Sequence, residues 1–214
     1  MREYYRNNQP HFQQHATAYG LTFMLFDAIT APQLERLKLS LIDEIADIES
    51  DEMNRKEFRK AEARTKNFLA LEMMLNSKRS QSYLLRNINA ANAVSAYFHS
   101  LNGKFIDLIA YSVMPNHAHV LFDLSPQLIE SSVPEVGVDQ CIARLKGGSS
   151  FAANKVLNRK GALWMPGYHD RYMRNEIHLA WTYNYYLLNP EKATLVKHWQ
   201  DHHATWGKFE TKNR

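Results

Sequence analysis

The chain is predicted to fold as an α+β domain, with helices packed on an antiparallel sheet. Three observations carry this. Apolar residues recur at strand and helix periods in the order strand, helices, strand, strand, helix, strand, helix. Hydrophobic residues make up 45% of the 214 positions, enough for a real core in one domain of ordinary size. No internal repeat or low-complexity tract breaks the pattern.

Taken in order, residues 20–26 are a short apolar run of β-formers and read as a buried strand. Leu34, Leu37, Leu41, Ile45 and Ile48 recur at helical spacing just after Pro32. Residues 50–76 continue helical, polar in their first half and carrying Phe68-Leu69-Ala70-Leu71 in their second. A helix over 87–100 stops near Asn102-Gly103, where glycine supplies a left-handed end. Strands over 104–113 and 117–124 follow. Pro126, Pro134 and Gly137 mark 125–138 as a flexible connection. The next helix, 139–157, is expected to be interrupted or loosened at Gly147-Gly148. Residues 163–173 are aromatic and extended, the expected last strand. A final helix over 175–188 should stop before Pro190, because a residue preceding proline disfavours the helical region.

Bulk properties narrow the function classes. The net charge is +4 and the pI about 9.1. Arg55, Lys56, Arg59, Lys60, Arg64 and Lys66 crowd one segment, which suits either a phosphate backbone or a solvated helix face. Cys141 is the single cysteine, so an internal disulfide and a cysteine-cluster zinc site are excluded. The first residues hold no apolar core of a signal peptide, and no window approaches 18 uninterrupted apolar residues. A cytoplasmic protein without a membrane span is expected.

His117 and His119 are the most informative pair. Residues two apart on a strand share a face, so the imidazoles would stand side by side as ligands to one divalent metal. A bare His-x-His also occurs by chance among ten histidines. The frame sharpens the signal: Pro115 cannot donate to a ladder and biases Met114 to an extended conformation, so the pair opens a strand.

Met114-Pro115-Asn116-His117-Ala118-His119-Val120-Leu121 resembles the signature of the single-tyrosine HUH transposases (His, bulky apolar residue, His), with Ala118 smaller than the name implies. More narrowly, the chain is similar to the REP-associated tyrosine transposases, relatives of the insertion-sequence enzymes. Leu145-Lys146-Gly147, the aromatic stretch from Leu163 to Arg174, and Tyr185-Tyr186-Leu187-Leu188-Asn189-Pro190 extend the resemblance. Leu187-Leu188 is apolar where relatives usually carry polar residues. Residues 84–200 fit well and 18–42 loosely.

The resemblance implies a ferredoxin-like, RRM-like antiparallel sheet with helices on one face. It implies a single domain over 1–214, with core 18–42 and 84–200 and a helical insertion near 43–83. It implies a metal-dependent single-stranded DNA endonuclease and strand transferase, working through a 5′-phosphotyrosine beside hairpin-forming repeats. Tyr185 would be the nucleophile, and His117, His119 and Asn189 would hold Mg²⁺ or Mn²⁺. Single-stranded and hairpin DNA would be the partners of a monomer or homodimer, with Arg144, Lys146, Arg171 and Arg174 as DNA contacts. Tyr185 and Asn189 are four apart on a helix, so they share a face. Tyr186, three before Asn189, competes for the nucleophile role. A non-cleaving module of the same fold that grips structured nucleic acid is the alternative. His198, His202 and His203 lie in a polar tail beside Trp199 and Trp206 and read as surface residues.

Overall fold

The computed structural model describes residues 2–6, 9–13, 18–51, 54–77, 80, 82–124 and 137–209. The chain divides into two compact units, one comprising 1–26 and 83–214 and the other 27–82. The connection expected at 125–138 falls mainly on 125–136, outside the described residues.

The first unit is built on strands β1 (Arg2–Arg6), β2 (Gln9–Gln13), β3 (Ala18–Met24), β4 (Asp107–Val113), β5 (His117–Asp123), β6 (His169–Tyr172) and β7 (Thr205–Gly207). β1 and β2 pair with each other; the other five form one antiparallel sheet in the order β6-β3-β5-β4-β7. With α3 (Ile88–Leu101) and α4 (Val138–Val156), the path from β3 to β6 is strand, helix, strand, strand, helix, strand. Its spatial order puts the fourth of these strands beside the first and the third between first and second. That is the ferredoxin-like arrangement, with β7 added at the far edge.

β3 is buried along its whole length and β5 along all but its last residue, so both faces of the sheet are covered. On one face, Phe98 of α3 sets its ring edge-on to Phe23 and Tyr111, with centroids 6.1 and 5.8 Å away. Trp164 meets Phe23 edge-on at 4.7 Å and donates its indole N–H to Ser149 Oγ of α4 at 2.9 Å. Helices α3 and α4 thus form the expected layer. A further helix, α5 (Glu176–Leu187), packs on the other face through Tyr183, Tyr186 and Leu187 against Ala18, Ile109, Ala110, Leu121 and Met173. A bulge between Leu108 and Ala110 lets Ile109 and Ala110 both join that cluster.

Small residues set how closely α5 approaches. Gly20, Leu121, Ala110 and Gly207 stand in register across four strands beneath it. A Cβ at Gly20 would lie 2.8 Å from the Tyr186 hydroxyl, and one at Gly207 would overlap that of Tyr183. Tyr183 uses this proximity: its hydroxyl donates to the Phe209 carbonyl at 2.5 Å and accepts the Phe209 N–H at 3.0 Å.

The helix ends follow from local chemistry. The Asn87 side chain accepts the N–H groups of Asn89 and Ala90 at the start of α3, and Asn175 accepts that of His178 at the start of α5. In the second unit, helices α1 (Ala31–Ser50) and α2 (Lys56–Leu75) pack on each other. Gln33 accepts the Thr30 N–H at the head of α1. Much of the basic cluster is matched within this unit: Arg59 pairs with Asp51 at 2.7 Å, Lys66 with Glu44 at 3.3 Å, and Lys60 with Glu49 and Glu57. Among the described residues, no helix is long and apolar enough to cross a membrane.

Four expectations need correction. Helix α4 runs unbroken through Gly147-Gly148, because Gly148 is where Tyr97 of α3 lies against its backbone; any Cβ would overlap that ring. The stretch 163–173 pairs as a strand only over His169–Tyr172, with one bridge from Trp164 to Leu25. Helix α5 ends at Leu187, before Pro190 as expected, but not because the residue preceding proline leaves the helical region: a short helix α6 (Asn189–Lys192) follows at once, with Pro190 in its first turn, where no N–H is needed. The tail is not all surface, since His202 is buried and bonds through Nδ1 to Thr205 Oγ1 at 2.7 Å.

The two adjacent glycines of α4 should respond oppositely to alanine. Gly147→Ala meets nothing within 4 Å, and is expected to gain up to about 1 kcal/mol from helix propensity. Gly148→Ala must displace Tyr97 and should cost about 1–3 kcal/mol. Urea denaturation of the two variants checks this.

Candidate active site at the sheet face beneath helix α5

Both imidazoles project from β5 towards α5 and are fully buried. Their Nε2 atoms lie 3.1 Å apart and the rings stand edge to face, with centroids at 4.8 Å. Each ring is held from behind. Met114 and His117 close a tight turn through Pro115-Asn116 (Met114 N–H to His117 carbonyl, 2.8 Å). That turn brings Asn116 Oδ1 within 2.7 Å of His117 Nδ1. Thr22, opposite His119 on β3, places its hydroxyl 2.8 Å from His119 Nδ1.

This pattern has a chemical consequence. An imidazole that donates Nδ1–H to an amide oxygen keeps a lone pair on Nε2. His117 does so to Asn116, and His119 does the same wherever Thr22 accepts. Two Nε2 lone pairs about 3 Å apart repel unless a cation or proton lies between them. A second nitrogen fixed by a hydrogen bond is also the usual support of a metal-bound histidine. Two imidazole nitrogens so supported are donors that a divalent ion takes.

Helix α5 lays its tyrosines over the pair. Tyr186 is buried and stacks on His119, with centroids 4.6 Å apart and planes at 21°. Tyr185 is half-buried and meets His119 edge-on at 6.3 Å. Its other neighbours are Trp181, stacked at 5.1 Å and 15°, and Lys192, whose Nζ is 3.9 Å from the ring centre. Tyr183 turns the other way, to Phe209. Asn189 follows Tyr185 by about one turn, at the start of α6, and is fully buried.

Residues 69–185 match the family described as Transposase IS200 like, a span of more than half the chain that holds both histidines and ends on Tyr185. The chain belongs to this family. The REP-associated resemblance read from the motifs agrees with that membership. The IS200-like transposase is also similar to two solved structures. One is a REP-associated tyrosine transposase bound to a REP hairpin, 13% identical, covering 94% of this chain and 79% of that one, with a TM-score of 0.49. The other is a candidate transposase from Deinococcus radiodurans R1, 14% identical, covering 80% of this chain and 89% of that one, with a TM-score of 0.30. Comparison with curated proteins finds no match.

Among the expected DNA contacts, Arg171 and Arg174 lie near α5, their guanidinium carbons 5.5 Å from the Trp181 ring centre and 5.6 Å from that of Tyr172. Arg144 and Lys146 belong to α4, on the opposite side of the sheet. Arg144 is exposed over the Phe105 ring at 4.2 Å. Lys146 is turned inward and donates to the carbonyls of Met165 at 2.7 Å and Gly167 at 2.5 Å. Burial pushes its pKa down to about 8, so at neutral pH it still binds those carbonyls as an ammonium. Sequence reasoning passed over Thr22, Asn116, Trp181 and Lys192. Signals existed for two of them: Thr22 is a lone hydroxyl in an apolar strand, and Asn116 immediately precedes the motif.

Two outcomes follow from these placements. Lys146→Met should cost about 1–3 kcal/mol by orphaning two carbonyls, read by chemical denaturation, and should leave the salt slope of DNA binding unchanged. Burial, and next the charge of His203, lower the His202 pKa to about 4. The unfolded chain therefore takes up a proton from about pH 6.5 downwards that the folded chain refuses until about pH 4. Stability from this group is complete above pH 6.5 and lost as pH falls towards 4. His202→Gln should flatten the melting temperature across that window.

Proposed function

We propose that this IS200-like transposase is a metal-dependent single-stranded DNA endonuclease and strand transferase that cuts beside hairpin-forming repeats. The observation that carries the reading is the half-buried Tyr185 ring set against His119, whose Nε2 lies 3.1 Å from that of His117. Tyr185 is the proposed nucleophile. Its phenol oxygen attacks the scissile phosphorus, the 3′ oxygen leaves, and the 5′ phosphate stays on the tyrosine. The phosphodiester is exchanged for a phosphotyrosine ester, so the strand can be rejoined without a further energy source. The buried Tyr186, packed flat on His119, suits a supporting role for that imidazole and favours Tyr185 over its neighbour.

His117 and His119, with Asn189 as third ligand, would hold Mg²⁺ or Mn²⁺. Such an ion supplies Lewis-acid polarisation of the phosphoryl oxygens. A phenol, with a pKa about 10, is a weak nucleophile without that help. Around the centre, Thr22 and Asn116 keep both imidazoles turned inward, and Arg171 and Arg174 offer charge to the phosphates. The hairpin in the related REP-associated structure supports hairpin DNA as the partner.

Incubated with end-labelled, hairpin-bearing single-stranded DNA and Mn²⁺, the protein should yield a covalent adduct at the 5′ phosphate of the fragment downstream of the cut and a free 3′ hydroxyl on the upstream fragment. Tyr185→Phe keeps the ring and should fold normally but form no adduct. His117→Ala should abolish cleavage while largely sparing hairpin binding. Adduct from Tyr185→Phe and none from Tyr186→Phe would move the nucleophile by one residue. Binding without cleavage of any hairpin-bearing strand would leave a non-cutting DNA-binding module.

A further inference from the structure

Helix α5 carries a second stripe that its packing on the sheet does not use. Ile177, Trp181 and Tyr185 are four residues apart and share one side. Ile177 is 82% exposed and Trp181 45% exposed, although buried apolar faces are at hand on the same helix. The Trp181 indole stacks on the Tyr185 ring, with centroids 5.1 Å apart and planes at 15°. Cations lie on the rings here: Arg171 over the indole at 5.5 Å, Lys192 over Tyr185 at 3.9 Å, and Arg174 over Tyr172 at 5.6 Å. Arg171 and Arg174 both help lower the His178 pKa, which places their charge against α5 itself. Of the nearby acids, Glu176 lies in the first turn, and Asp170 alternates with Arg171 on β6, on the opposite face of the sheet.

An exposed indole among guanidinium and ammonium groups, next to a phosphate-attacking centre, matches what an unpaired base needs: a flat π-surface, with charge for the backbone that follows. We propose that Trp181 and Arg171 form a base-stacking subsite for the unpaired nucleotide adjoining the phosphate presented to Tyr185. This subsite rests on the single-stranded DNA reading given above. Stacking is indifferent to base identity because every base has a π-face, so the subsite grips unpaired DNA whatever its sequence.

The test separates bases from backbone. Tyr185→Phe protein, which should bind without reacting, is titrated against two fluorescent probes of equal length: a thymidine homopolymer and an abasic deoxyribose-phosphate homopolymer. Adding Trp181→Ala should weaken thymidine binding by about 5- to 150-fold, the range for losing one stacked base, and leave abasic binding unchanged. Trp181→Phe should restore part of the loss. Arg171→Ala should weaken both probes and lower the salt slope. Should Trp181→Ala fail to fold, Trp181→Leu keeps apolar bulk without an aromatic plane and is expected to show the same selective loss. Equal losses on both probes, or none on either, would overturn the subsite. Adduct formation by the unmutated protein is scored separately: cleavage without thymidine selectivity sinks the subsite alone, and selectivity without cleavage sinks the phosphotyrosine reading alone.

Discussion

The site depends on how closely one helix can lie on a sheet. Helix α5 reaches His119 because the strand positions beneath it are glycine at residues 20 and 207 and alanine at residue 110. Without those absences, Tyr186 could not stack on the imidazole and Tyr185 would be carried outward with it. The constraint is steric and one-sided. Added volume under the helix separates the two halves of the site, whereas trimming large residues elsewhere in the core only loosens them.

The histidine pair is a second, electrostatic constraint. Two imidazoles whose lone pairs meet inside a protein repel unless a proton or a cation stands between the nitrogens, and burial removes the water that would screen them. Thr22 and Asn116 offset part of this by bonding the far nitrogens. They also keep the rings from turning away. With the far nitrogens so engaged, the near ones are left to share a proton or to hold a cation.

The parts legible in the sequence were those written in local spacing. The strand turn at Pro115, the imidazoles two apart and the tyrosine helix all follow from distances of four residues or fewer. Long-range contacts hid the rest. Gly148 reads as a helix break because its partner, Tyr97, is distant in sequence. Strand β7 has three residues, too few for any periodic signal, and exists because it pairs with β4. The burial of His202 likewise depends on the fold of the tail around Thr205. The inward turn of Lys146 is hidden in the same way, because its two carbonyl partners, 19 and 21 residues away, carry no side-chain signature.

The two halves of the site rest on supports of unequal strength. His117 and His119 sit on β5, which is laddered along both edges by β3 and β4, the most strongly tied position in the sheet. Tyr185 sits on a twelve-residue helix whose attachment is side-chain packing along one stripe, with a clasp from Tyr183 to Phe209 at the far edge. Partial opening follows the weaker attachment. Amide exchange in α5 is therefore expected to proceed through a local excursion that leaves β5 protected. A form that keeps its paired nitrogens after losing the register of its phenol is the expected consequence.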